Sequence, residues 1–157
     1  MSRLFALVAL LIAAVVTLAN DTRARAVEQS TRCSQVAVMK RMGGMVGALN
    51  RARGDRFAAG FARRGRWYPY TRTLEAPLSG RADIQAFALL RIAAEDRWTI
   101  GGLGRVAAGR YTLRVKIATR GRAVGAGKTR LTVDCRSGLV TSWTGPALKM
   151  PPIVDDD

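Results

Sequence analysis

Arginine and aromatic residues are interleaved between positions 51 and 72. Arg51, Arg53, Arg56, Arg63, Arg64, Arg66 and Arg72 alternate with Phe57, Phe61, Trp67, Tyr68 and Tyr70, and Asp55 is the only acid in the stretch. A guanidinium offers a planar fork of donors that matches phosphate, sulfate or carboxylate. Aromatic rings add faces for stacking on bases or for contact with sugars and interfacial lipid. Together they point to a polyanion site. Its densest part, Arg63, Arg64, Arg66, Trp67 and Tyr68, is the first choice for anion binding. A plainer reading stands beside it. Arg outnumbers Lys 22 to 4 over the whole chain, so composition alone yields such a run, and the rings then belong to the core.

Other chemistry is harder to assemble. The chain has no His, which excludes His-based triads, HExxH zinc sites and haem ligation through His. Its two cysteines, Cys33 and Cys135, exclude a four-thiolate zinc site and a multi-disulfide scaffold. Acids are sparse: beyond Asp21 they are Glu28, Asp55, Glu75, Asp83, Glu95, Asp96 and Asp134, with Asp155-Asp156-Asp157 at the end. Glu95 and Asp96 are adjacent and read as a turn. No spacing marks a carboxylate pair for hydrolysis or a metal site. Gly125-Ala126-Gly127-Lys128-Thr129 imitates the end of a phosphate loop, but Arg122 stands where the motif needs its first Gly. It also lies between strands, so a hairpin turn is the reading. Arg53-Gly54-Asp55 resembles an adhesion tripeptide by chance, and Gly101-Gly102-Leu103-Gly104 reads as a loop. No enzyme activity, cofactor, metal or nucleotide is expected.

The N-terminus reads as an export signal. Arg3 precedes an apolar run over residues 4–18, and Ala24-Arg25-Ala26 supplies small residues for cleavage. The run is shorter than the roughly 20 residues that span a bilayer as a helix. The expected organisation is a signal peptide over 1–26, one β-rich domain over 27–145 and an extended acidic tail over 146–157. Retention of the first segment as an anchor is the alternative. Lipidation at Cys33 is not expected, because Ser30-Thr31-Arg32 precedes it. After cleavage near Ala26 the protein is expected in the periplasm or outside the cell. That compartment permits a disulfide between Cys33 and Cys135, which would tie the start of the mature chain to a late strand.

The elements that would position these residues follow from periodicity. Val38, Met42, Met45, Val46 and Leu49 predict a helix over 34–50, with Ser34 as its cap and Gly43, Gly44 and Gly47 as weak points. A short strand over 35–39 with a glycine turn competes with it. Tyr68 and Tyr70 alternate around Pro69, which suggests an irregular or edge strand. Over 80–92, composition favours helix, but Ala82, Ile84, Ala86, Ala88, Leu90 and Ile92 alternate with Arg81, Asp83, Gln85 and Arg91, and strand is chosen. Tyr111, Leu113, Val115 and Ile117 alternate with Thr112, Arg114 and Lys116. Leu131, Val133 and Cys135 alternate with Arg130, Thr132, Asp134 and Arg136. These predict a hairpin with Gly121, Gly125 and Gly127 in its turn and Cys135 on its apolar face. Trp98 and Ile100 suggest a strand ended by the Gly101–Gly104 run, and residues 139–143 suggest a last one.

Short strands between turn signals indicate a mainly β protein, a small β-sandwich or barrel-like domain, with a signal helix and at most one short helix. Gly109-Arg110-Tyr111-Thr112-Leu113-Arg114-Val115 resembles the G-x-Y-T-L-x-V strand of bacterial immunoglobulin-like β-sandwich modules. The resemblance implies a sandwich and no activity. The resulting expectation is an exported, non-catalytic binding module whose basic aromatic surface takes an anionic polymer, a membrane surface or an acidic protein. Nucleic acid is a less favoured partner. A structural or assembly subunit of an envelope complex is the alternative, and a small hydrolase the third.

Overall fold

The computed structural model describes residues 31–69 and 76–145. The signal-like segment, Tyr70, Arg72 and the acidic tail lie outside the described residues. Among the described residues, no helix is long and apolar enough to cross a membrane.

Helix α1, Gln35–Asn50, forms as its apolar spacing predicts, and the Ser34 hydroxyl accepts a hydrogen bond from the Ala37 N–H to cap it. Val38, Met42, Met45, Val46 and Leu49 are buried along its inner face. A short helix α2, Gly54–Ala59, follows and buries Phe57. Then come β1 (Phe61–Tyr68), β2 (Leu78–Ser79), α3 (Gly80–Ala93), β3 (Asp96–Ala107), β4 (Arg110–Thr119), β5 (Arg122–Val133) and β6 (Val140–Thr144).

The six strands form one sheet in the order β2-β1-β6-β5-β4-β3. β1 and β6 run parallel and the other pairs antiparallel. The protein is therefore mainly β, but among the described residues a single mixed sheet with three helices replaces the expected sandwich or barrel. The helices cover one face of the sheet and do the work a second sheet would do.

The segment over 80–92 is helix α3, not a strand. Alanine fits either periodicity, so the alternation of Ala82, Ala86 and Ala88 carried little information, whereas the intrinsic helix preference of Ala and Leu did. Ile84 and Ala88 pack inward on a helical face with Arg91. The predicted hairpin is β4–β5, with a tighter turn than expected. Arg120 and Gly121 both have positive φ, 47° and 76°, as a two-residue turn of mirror-image type requires. Gly125 and Gly127 lie within β5, opposite Ile117 and Val115. The Gly101–Gly104 run likewise lies inside β3, at a register shift, and does not end it.

Cys33 and Cys135 form the expected disulfide across a sequence separation of 102, with Cα atoms 5.1 Å apart. Cys135 sits just beyond β5, in the loop to β6. Asp134 shapes that loop, since its carboxylate accepts from the Ser137 hydroxyl at 2.6 Å and from the Arg136 and Ser137 N–H groups. The Ser137 and Arg136 hydrogen bonds hold the Asp134 carboxyl below its ordinary pKa.

Edge strand β3 is closed by α1. Asn50 donates to the Trp98 carbonyl at 2.7 Å and accepts from the Trp98 N–H at 2.9 Å, so one amide side chain imitates a pairing strand. Gln35, at the other end of α1, donates to the Leu103 carbonyl at 3.1 Å. These bonds occupy backbone groups that an open edge would offer to another chain.

Candidate anion-binding surface

The covered face of the sheet is filled by rings. Trp67, Trp143, Leu131 and Tyr111 lie side by side in register across β1, β6, β5 and β4, all buried. Trp67 stacks on Trp143 with centroids 5.8 Å apart, and Trp98 meets both edge-on. Phe57, Phe61 and Phe87 complete the cluster. Its polar handles are mostly satisfied. The Trp143 indole N–H donates to the Thr129 hydroxyl at 3.0 Å, which donates onward to the Leu113 carbonyl. The Trp67 indole N–H is the exception among the described residues, buried without a hydrogen-bond partner.

One acid enters this face. Asp96 opens β3 with its side chain fully buried and receives Arg91 Nε at 2.6 Å, the Thr119 hydroxyl at 2.5 Å and the Trp98 indole N–H at 3.4 Å. Glu95 supplies the expected turn, at φ 58°, but Asp96 belongs to a buried ion pair that links the end of α3 to β3. Adjacent acids in a chain gave no sign that one of them goes inside. Across the sheet, the Tyr111 hydroxyl donates to the Cys33 carbonyl, and burial raises its pKa.

The opposite face is exposed among the described residues and carries a set of basic residues. Arg66 on β1, Arg110, Arg114 and Lys116 on β4, and Lys128 and Arg130 on β5 are all exposed. Register places them on one face. Arg114 is directly opposite Lys128, Thr112 opposite Arg130, and Arg110 opposite Thr132. Thr132 pairs with Ser142, which pairs with Arg66, and Arg130 pairs with Thr144, which pairs with Tyr68. Asp96 is the only acid in the six strands, and it is buried on the other side. Arg97, at the β3 edge, turns aside to donate to the Asn50 carbonyl.

No protein-family model and no curated protein matches the sequence. Solved structures do match the fold. A protein of unknown function from Methylobium petroleophilum with a cystatin-like fold aligns with TM-score 0.63 at 17% identity, over 78% of this chain and 83% of that one. An NTF2-like protein of unknown function from Cytophaga hutchinsonii aligns with TM-score 0.53 at 10% identity, over 71% and 87%. The fold is cystatin-like and NTF2-like. SalBIII, an epoxide hydrolase/cyclase-like enzyme in pyran ring formation in salinomycin, shares it, with TM-score 0.59 at 12% identity over 68% and 87%.

The cystatin-like fold overturns the resemblance to immunoglobulin-like modules. Of the seven residues that carried it, Gly109 precedes β4 and the other six open it, and alternating Tyr, Leu and Val suit any strand with one buried face. The same fold divides the predicted site residues. Arg66 and Tyr68 lie on the open face, while Trp67 between them points into the ring cluster. Arg63 and Arg64 are exposed where β1 loses register with β6. Gly65 permits that irregularity, because a Cβ there would come within 3.0 Å of the Ala62 and Val140 carbonyl oxygens. The sequence reading missed Arg110, Arg114, Lys116, Lys128 and Arg130. Their signal was the alternation of β4 and β5, which had marked the buried positions and left the facing ones unexamined.

Proposed function

We propose that this protein is a non-catalytic binding module of an exported compartment, and that the open face of its cystatin-like sheet takes an anionic partner. The observation that carries the reading is Arg114 directly opposite Lys128, on a face without a carboxylate among the described residues. Like charges directly opposite across an antiparallel pair are destabilising. A face kept only for solubility would intersperse both signs. Arg63, Arg64, Arg66 and Tyr68 extend the surface along β1. The Cys33–Cys135 disulfide supports an oxidising compartment. Against catalysis stand a core of mutually packed rings and an Asp96 carboxylate already engaged by three donors.

The test is the double variant Arg114→Gln/Lys128→Thr, measured against heparin, vesicles containing anionic lipid and single-stranded DNA. Binding to at least one probe should weaken about tenfold, while the thermal transition stays level or rises, since a repulsive pair is removed. Unchanged affinity for all three would remove the reading.

A further inference from the structure

We infer that the partner of this face is a linear acidic polysaccharide lying obliquely across β1, β6, β5 and β4. The inference rests on the binding-module reading and narrows it. The cations form a track and not a pocket. Arg66 and Arg110 lie in one cross-strand row, Arg130 in the next, Arg114 and Lys128 in the third, and Lys116 in the fourth. Successive rows are about 7 Å apart along the strands, and neighbouring strands about 5 Å apart. The line Arg66–Arg130–Lys128–Arg114–Lys116 therefore runs diagonally for roughly 25 Å. A point anion would use one or two of these groups, whereas a chain with repeating charges uses all of them.

What lies between the cations selects the kind of chain. Thr132, Ser142 and Thr144 stand in the first two rows, and their hydroxyls can both donate to and accept from sugar hydroxyls, while the Thr112 hydroxyl, which donates to the Gly104 carbonyl, can still accept. Among the described residues Tyr68 is the one ring on the face, at its β1 end, so successive bases would find no succession of stacking platforms there. The exposed large apolar residues among the described ones are Val36, Leu89 and Leu90 on helices and Val106 near the β3–β4 turn. None stands among the track residues, where a membrane-binding surface would need apolar groups to insert.

The experiment uses the native, disulfide-bonded protein and size-fractionated heparin fragments. Single-stranded oligothymidylate and vesicles containing phosphatidylglycerol are the competing probes. Two charge-reversed variants with equal change of net charge are compared: Arg114→Glu/Lys128→Glu on the track, and Arg53→Glu/Arg56→Glu on the exposed side of α2 and its approach. Affinity for heparin should climb with fragment length until the fragment spans roughly 25 Å, then level off. The track variant should lose about tenfold or more, and the α2 variant less than about threefold. If reversal unfolds the track variant, the Gln/Thr pair replaces it. Equal losses from both variants would overturn the inference and the binding-module reading together. A track-dependent preference for vesicles or oligothymidylate, or affinity indifferent to fragment length, would overturn the polysaccharide alone.

Discussion

The Asp96 carboxylate is a buried charge whose stability depends on Arg91, because the other two donors, Thr119 and Trp98, are neutral. Removing one member of a buried pair leaves the other uncompensated, at a cost of about 3–5 kcal/mol, while replacing both by apolar groups of similar size is often neutral. Arg91→Met should therefore lower the denaturation midpoint strongly, and Arg91→Met/Asp96→Leu should recover part of the loss, the remainder reflecting the Thr119 hydroxyl and Trp98 indole N–H that lose their acceptor. Urea unfolding of the two variants checks this. Equal losses from both would mean that the pair does not act as a unit. The sequence gives little access to such a site. Arg91 reads as part of the polar face of an alternating stretch and Asp96 as part of a turn, and only the turn at Glu95 brings the end of α3 against the start of β3. The Cys33–Cys135 pairing was accessible for the opposite reason, since two cysteines allow one intrachain bridge.

At the level of elements, the disulfide joins the start of α1 to the β5–β6 loop, and the Tyr111 hydroxyl on β4 holds the same corner through the Cys33 carbonyl. Gly109 belongs to this corner too. Its φ is 69°, and a Cβ would stand 2.7 Å from the Val133 carbonyl oxygen and 3.5 Å from Cys135 Sγ. The bridge thus secures one end of the helix layer to the sheet, while Asn50 secures the other end to β3. Cys33→Ser/Cys135→Ser should cost about 2–4 kcal/mol by denaturant titration, below the chain-entropy figure of about 4–5 kcal/mol for so long a loop. The fold should persist, because the ring cluster does not involve the bridge. Loss of the cooperative transition in the variant would show instead that the disulfide is a condition of folding. Periodicity made α1 and the β4–β5 hairpin legible in the sequence. It failed on α3, where alanines satisfy two periods at once. It could not supply the parallel β1–β6 pairing either, because elements distant in sequence meet there.

The same distance in sequence hid the candidate surface. Charge density along the chain peaks at Arg63–Arg64–Arg66, but the sheet gathers Arg66, Arg110, Arg114, Lys116, Lys128 and Arg130 from three strands, and only register reveals that they share a face. For the whole molecule this has a consequence in salt. A formal net charge of +15 repels itself in the compact state, so screening should favour folding. Binding of a polyanion to several cations at once releases counterions, and its affinity should fall linearly on logarithmic axes as salt rises. Raising salt from about 50 to 200 mM should thus raise the thermal midpoint while weakening heparin binding about a hundredfold. In Arg114→Gln/Lys128→Thr the salt gain in stability should shrink, because one repulsive pair is gone, and the slope of the binding plot should drop by close to two contacts. Measuring both slopes on both proteins separates a track that engages its ligand from charge that is merely diffuse. Diffuse charge would leave the binding slope nearly unchanged, since the remaining cations would substitute for the two that were lost.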